Sequence, residues 1–178
     1  MNHKRILVIS DMHIPYHHKD SIRFLKEIKK EFKPDTIVNI GALKHGMSKE
    51  FLRDYGDFLG TKKWKWTDDL TLTMANGQRC FFTHGRSADV LKVSQTMGMS
   101  AVQGHYHTKF VISWWANPDN LFFGMNVGCL INQKSMAFAY AKNFKTRFIL
   151  GCGVILNGIP RLLPMVLNNK GDWIGKIV

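Results

Sequence analysis

Cysteine, acidic charge and long apolar runs are all scarce in this 178-residue chain. The three cysteines, Cys80, Cys129 and Cys152, lie far apart and form no C-x-x-C pair. So sparse and odd a set excludes a disulfide framework or a zinc knuckle and reads as reduced thiols. Asp and Glu number 13 against 25 Lys and Arg, a formal net charge of +12. That excess points toward a polyanionic partner, although a lysine-rich surface also maintains solubility. A bilayer span needs ~20 apolar residues. Here residues 6–9 run only to Ser10-Asp11, and residues 148–156 are interrupted by Gly151 and Gly153. The first run also falls short of the ~7–15 apolar residues of a signal peptide. The expectation is a soluble, cytoplasmic protein with no membrane partner. No repeat, linker or low-complexity tract divides the chain, so a single domain over residues 1–178 is expected. Its 45% hydrophobic content suffices for a real core.

Hydrophobic periodicity gives the elements. Residues 5–10 form a short apolar run rich in β-branched side chains, which reads as a buried strand. Ile22, Phe24, Leu25, Ile28 and Phe32 recur at helical spacing. They predict a helix over 20–32, capped by Asp20 or Ser21 and stopped at Lys33-Pro34. Residues 36–40 are a second apolar strand, and strand–helix–strand implies parallel pairing with a right-handed crossover. Residues 48–59 read as a short helix. Two alternating segments, 66–74 and 78–83, flank Ala75-Asn76-Gly77, and Asn-Gly is a hairpin signal. Residues 87–97 read as a helix. Further strands are expected near 100–104, 109–115, 121–127, 135–140, 147–156 and 161–167. With no late helices, a layered sandwich fits this α/β chain better than a doubly wound sheet.

Four polar clusters interrupt the apolar runs where strands should end. They are Asp11-Met12-His13, Gly41-Ala42 with Lys44-His45, Thr83-His84-Gly85, and Gly104-His105-Tyr106-His107. Strand ends converge on one rim, where ligands bind in α/β sheets. An Asp and several His there supply the mixed N/O ligands that suit Mn, Fe or Zn. Alternation on an extended segment would place Asp11 with His13, and His105 with His107. Single histidines such as His3, His17, His18 and His45 read as ordinary surface or structural residues.

The order Asp11-x-His13, Thr83-His84-Gly85, Gly104-His105-x-His107 resembles the calcineurin-like metallophosphoesterases, the short phage and bacterial type being the nearest in size. The resemblance implies a β-sandwich of mixed sheets flanked by helices. It also implies hydrolysis of phosphate esters by two divalent metals, typically Mn, Fe, Zn or Ni, lying ~3.5–4 Å apart and clamping the phosphate. It assigns Asp11, His13 and His107 to the first metal and His84 and His105 to the second. His84 then faces the reaction, and Arg86, close behind it, is a candidate for gripping a phosphate oxygen.

Two elements of the family pattern are missing. Ala42 stands after Gly41 where the resemblance implies a metal-bridging Asp. No Gly-Asn-His segment follows, and the domain looks shortened between residues 42 and 64. Without the bridging carboxylate two dications repel strongly. The expectation is therefore one well-formed site, a weak second one and reduced turnover. Gly56-Asp57, Asp54 and His45 are the available substitutes, and each also reads as an ordinary surface residue.

Lys62-Lys63-Trp64-Lys65-Trp66 interleaves bases with indoles. Such a strip stacks on nucleobases, or it is a strand edge with Trp inward and Lys in water, which is the more ordinary arrangement. In Trp114-Trp115 one ring should face in and the other out. Met97, Met99, Met125, Met136 and Met165 read as core fillers. Basic charge beside a phosphate-directed site implies a phosphodiester substrate, with nucleic acid or a nucleotide as the partner. The alternative is a degenerate member that binds nucleic acid or a protein without turnover.

Overall fold

The computed structural model describes residues 2–41, 69–132, 134–135 and 147–178. Ala42, Lys44, His45, Asp54, Asp57, the expected helix 48–59, the Lys62–Trp66 strip, Met136 and most of the expected strand 135–140 lie outside them.

Strands β1 (Asn2–His3), β2 (Arg5–Ile9) and β3 (Thr36–Asn39) are followed by the hairpin β4 (Asp69–Met74) and β5 (Arg79–Thr83). Then come β6 (Ser100–Gln103), β7 (Phe110–Ala116), β8 (Leu121–Val127), β9 (Gly151–Leu156) and β10 (Ile159–Pro164). Two helices are described, α1 (Ser21–Phe32) and α2 (Val90–Met97). One sheet has the order β1-β4-β5-β6-β8-β7 and the other β10-β9-β2-β3. Both are mixed. β2 pairs parallel with β3, as a βαβ unit requires, and antiparallel with β9. β5 and β8 flank β6 in parallel, while β4 and β5 form the antiparallel hairpin around Gly77.

Strand alternation explains the layering. On β2, Ile6 and Val8 face the other sheet, with Val38, Phe82, Val102, Met125 and Ile155. Leu7 and Ile9 point the other way, into a second core with Phe24 and Ile28 of α1. On β5, Cys80 and Phe82 enter the sandwich, and Phe81 turns outward to Val93 of α2. β2 and β5 are therefore buried on both faces, which is why these strands read as continuous apolar runs. Phe24 and Ile28 are fully buried, and each contributes about 2 kcal/mol by removal from water. The architecture is the two-sheet, helix-flanked α/β sandwich expected from the sequence.

Several boundaries differ from the sequence reading. The helix expected from residue 87 starts at Val90, because the Asp89 side chain accepts hydrogen bonds from the Leu91 and Lys92 N–H groups and caps it there. Asp20 holds the N-cap position of α1 but makes no side-chain cap bond. Its Oδ2 instead accepts from the Trp173 N–H (3.0 Å), and the Trp173 ring packs on Phe24 and under the Arg23 guanidinium. The C-terminal segment thus takes the carboxylate that local sequence offered to the helix. The strand expected at 147–156 begins at Gly151, and the one expected at 161–167 runs from Ile159 to Pro164. Trp115 stacks on Phe122 and donates its indole N–H to Ser94 Oγ, while Trp114 is half exposed, as alternation requires. Met125 and Met165 are buried, and Met97 and Met99 pack on the α2 core.

All three thiols are free and buried. Burial disfavours the thiolate, pushing Cys129 up to about 12 and Cys80 and Cys152 higher still. Native protein should therefore react negligibly with an aromatic disulfide reagent at pH 8, and denatured protein should titrate three thiols. Rapid labelling of a native thiol would contradict the packing described.

Candidate metal centre

The C-terminal ends of β2, β3, β5 and β6 share one rim, because β2/β3 and β5/β6 are parallel pairs. Asp11 follows β2 by two residues, Gly41 follows β3 by two, His84 follows β5 directly, and His105 follows β6 by two. The sandwich thus gathers the motif segments at one edge.

Asp11 is the centre of the arrangement and is fully buried. Its Oδ2 accepts from the Ser10 hydroxyl and from the His105 backbone N–H at 2.7 Å. Its Oδ1 faces His13 Nε2 at 3.4 Å and His107 Nε2 at 3.6 Å, with His84 Nδ1 at 3.8 Å. Burial by itself raises a carboxyl's pKa. Hydrogen bonds from His107 and His13, the charge of His107 and the Ser10 hydroxyl outweigh it and hold Asp11 well below the usual carboxylate range.

Asp11, His13 and His107 offer one ligand atom each, all within 4.8 Å of one another. One carboxylate oxygen and two imidazole nitrogens form a donor set that fits a divalent transition metal and leaves positions open, as in catalytic sites with three protein ligands. His107 is steadied by the Phe148 ring, 5.1 Å away edge to face, and its carbonyl accepts from the Ile149 N–H at 2.8 Å.

A second pair lies beside the first group. His84 Nδ1 is 2.9 Å from the Ile40 carbonyl, which only accepts, so Nδ1 carries a hydrogen and, in the neutral ring, Nε2 holds the lone pair. That Nε2 lies 3.0 Å from His105 Nδ1. Partial burial and the neighbouring His84 press the His105 imidazole below its ordinary pKa, against the pull of Asp11. A neutral imidazole is the form that ligates metal. Side-chain exposure grades outward, from 0% at Asp11 through 13% at His107 to 35% at His84.

The backbone of these motifs departs from the alternation expected of extended segments. Asp11, His13 and His105 are not extended; their φ angles are 38°, 45° and 66°. His13 reaches Asp11 through a left-handed loop, and His105 and His107 separate, one toward His84 and the other toward Asp11. Left-handed backbone at three non-glycine residues costs free energy that the surrounding contacts must offset. Arg86 points elsewhere: its guanidinium pairs with Asp69 and lies over the Phe81 ring, and its backbone N–H donates to Gln103 Oε1.

The glycines of the motifs have a steric reason. A Cβ on Gly104 would meet Ser10 Oγ at 1.8 Å and Asp11 Oδ2 at 2.7 Å, and one on Gly41 would meet the Asp11 backbone nitrogen at 2.3 Å. Sequence reasoning missed Ser10, the Ile40 carbonyl and Phe148. Ser10 sits beside Asp11 but carries no spacing signal, and Phe148 lies far along the chain from His107.

At the level of sequence no family model and no curated protein matches the chain. Solved structures do. Vps29 from Chaetomium thermophilum superposes with a TM-score of 0.60 at 14% identity, covering 98% of this chain and 93% of that one. An archaeal phosphodiesterase gives 0.54 at 20% identity, with 90% and 99% covered. Vacuolar Protein Sorting 29 from Cryptosporidium parvum gives 0.54 at 16%, with 100% and 96% covered. The fold is the metallophosphoesterase type, and the rim carries a metal-competent donor group.

Two outcomes test the geometry. Gly104→Ala should destabilise the protein by at least about 2 kcal/mol in urea unfolding, because the added methyl overlaps Ser10 and Asp11; an unchanged midpoint contradicts the close approach. Calorimetric titration with Zn²⁺ or Mn²⁺ should show one tight equivalent. His13→Ala or His107→Ala should weaken it more than about 100-fold, beyond what loss of an outer partner does, whereas His105→Ala should leave it.

Proposed function

We propose that the chain is a metal-dependent phosphodiesterase, with one divalent ion held by Asp11, His13 and His107. The observation that supports this most is the convergence of these three donors from two distant segments of the chain. Mn, Fe, Zn or Ni suits the mixed N/O set. A bound ion polarises a phosphoryl oxygen and lowers the pKa of water, so no side-chain nucleophile is required.

The chain's own residues supply orientation. Ser10 and the His105 N–H fix Asp11 Oδ2, which turns Oδ1 toward the two imidazoles. His84 and His105 present Nε2 and Nδ1 side by side on the more exposed flank, suited to a second ion or to phosphate oxygens. Two imidazoles with only a share of Asp11 hold a second ion weakly, so substrate must complete its shell. Arg86 as a phosphate grip rests on its position after His84-Gly85, and it must leave Asp69 to act so. The net charge of +12 favours nucleic acid or a nucleotide diester over a neutral ester. Chain length is no obstacle, since this chain covers 99% of the archaeal phosphodiesterase.

A second reading, a binding module without turnover, is favoured by Ala42 at the position of the implied bridging Asp and by the missing Gly-Asn-His segment. The similar Chaetomium Vps29 has also been solved in complex with a cyclic peptide.

Hydrolysis of bis(4-nitrophenyl) phosphate in Mn²⁺ decides between them. The native chain should turn over with metal dependence, His13→Ala should lose at least about 100-fold, consistent with loss of a metal-dependent term, and Ala42→Asp should accelerate it. Turnover confined to Ala42→Asp would make the native chain a binding module.

A further inference from the structure

A cavity of about 540 Å³ opens beside the metal centre and is distinct from its donor set. Its charged lining is entirely basic: Lys19, Lys134, Arg147 and Lys170, above a floor of Leu150 and Leu167. Lys19 is already paired with Asp172. Among the described residues no ion pair involves Lys134, Arg147 or Lys170, and these three cations line one space. His18 and Asn132 complete the polar wall.

Two segments join this cavity to the metal centre. In the first, the Leu130 N–H donates to the Asp11 carbonyl at 3.2 Å and the Leu130 carbonyl accepts from the His18 N–H at 2.8 Å, and Asn132 follows on the cavity wall. In the second, Phe148 packs on His107 and Ile149 donates to the His107 carbonyl, while Arg147 and Leu150 on either side line the cavity. The same two walls therefore run from the metal donors into the basic cleft.

We propose that this cleft is a phosphate-binding subsite for a single nucleic-acid strand, seating a nucleotide next to the one presented at the metal centre. Cations around an apolar floor match a nucleotide unit: phosphate oxygens meet Lys134, Arg147 and Lys170, and the sugar or base lies on Leu150 and Leu167. Cations that track a backbone and apolar surfaces under the bases are the shared requirement of single-strand binding. The strand's path past the metal rests on the phosphodiesterase reading; the subsite itself does not.

The test is fluorescence anisotropy with a labelled single-stranded oligonucleotide and the full chain in EDTA, across a salt series. Lys134→Ala/Arg147→Ala should bind at least tenfold more weakly. Its slope of log K against log salt should fall by about 1.4, two contacts at about 0.7 each for single strands. Lys26→Ala/Lys29→Ala, on the solvent face of α1, removes equal charge and should lose less than threefold. Lys170→Ala should weaken binding by itself, and circular dichroism checks that each variant is folded. Inorganic phosphate at the same phosphate concentration should compete poorly; competition as strong as by unlabelled oligonucleotide would make the cleft a site for free phosphate and overturn the strand assignment. Equal losses in both double variants, or no salt-dependent binding, would overturn the subsite. Metal removal separates the two readings: binding in EDTA with no hydrolysis in Mn²⁺ keeps the subsite and removes the enzyme.

Discussion

The rim of this molecule depends on one buried carboxylate. Asp11 is fully enclosed at the end of a central strand, where an isolated ionised group would cost far more than the fold can offset. It is tolerated because every neighbouring segment turns a partner toward it: the Ser10 hydroxyl, the His105 backbone N–H, and the imidazoles of His13, His107 and His84. Those partners come from three separate stretches of chain, so satisfying one anion fixes the relative positions of all three. The close approach of Gly104 follows from the same requirement, since a larger residue there would strike Ser10 Oγ and the carboxylate, while Gly41 lets its loop pass against the Asp11 backbone.

The sandwich makes that convergence affordable in conformational terms. Both faces of β2 and β5 are buried, which ties the strand ends rigidly in register before the loops begin. The left-handed turns at Asp11, His13 and His105 are then held by packing rather than by their own preference. Rigidity behind the rim and strain on it are two sides of one arrangement, and they preorganise donors that free loops would leave dispersed.

The fold was legible because its signals are local and repeated. Alternation on β2, the Asn-Gly turn between β4 and β5, and the apolar stripe of α1 each specify an element without knowledge of the rest. The donor residues were legible as types at strand ends. Their grouping was not: period-two reasoning joined His105 to His107, whereas a positive φ at His105 sends the two rings to different neighbours. Asp20 shows the same limit from the other side. Local sequence offered it as a helix cap, and Trp173, remote in sequence, claimed its carboxylate. Ser10 bonds to its own neighbour, which leaves no spacing to read, and Phe148 meets His107 only across the fold.

The placement of basic charge has its own logic. Cations set directly against the Asp11 group would compete with a dication for the same carboxylate, since like charges at close range repel strongly where water is excluded. The cationic side chain nearest in sequence to His84, Arg86, is instead bound to Asp69. Among the described residues Lys134, Arg147 and Lys170 make no ion pair, and they line the neighbouring cleft, which joins the Asp11 group through Phe148 and Leu130 rather than lying against it. In the proposed arrangement, a strand drawn in by long-range attraction is held beside the rim and apart from the donor set. The net charge of +12 favours the buried Asp11 anion at long range, and only a cation in direct contact would displace a dication from it.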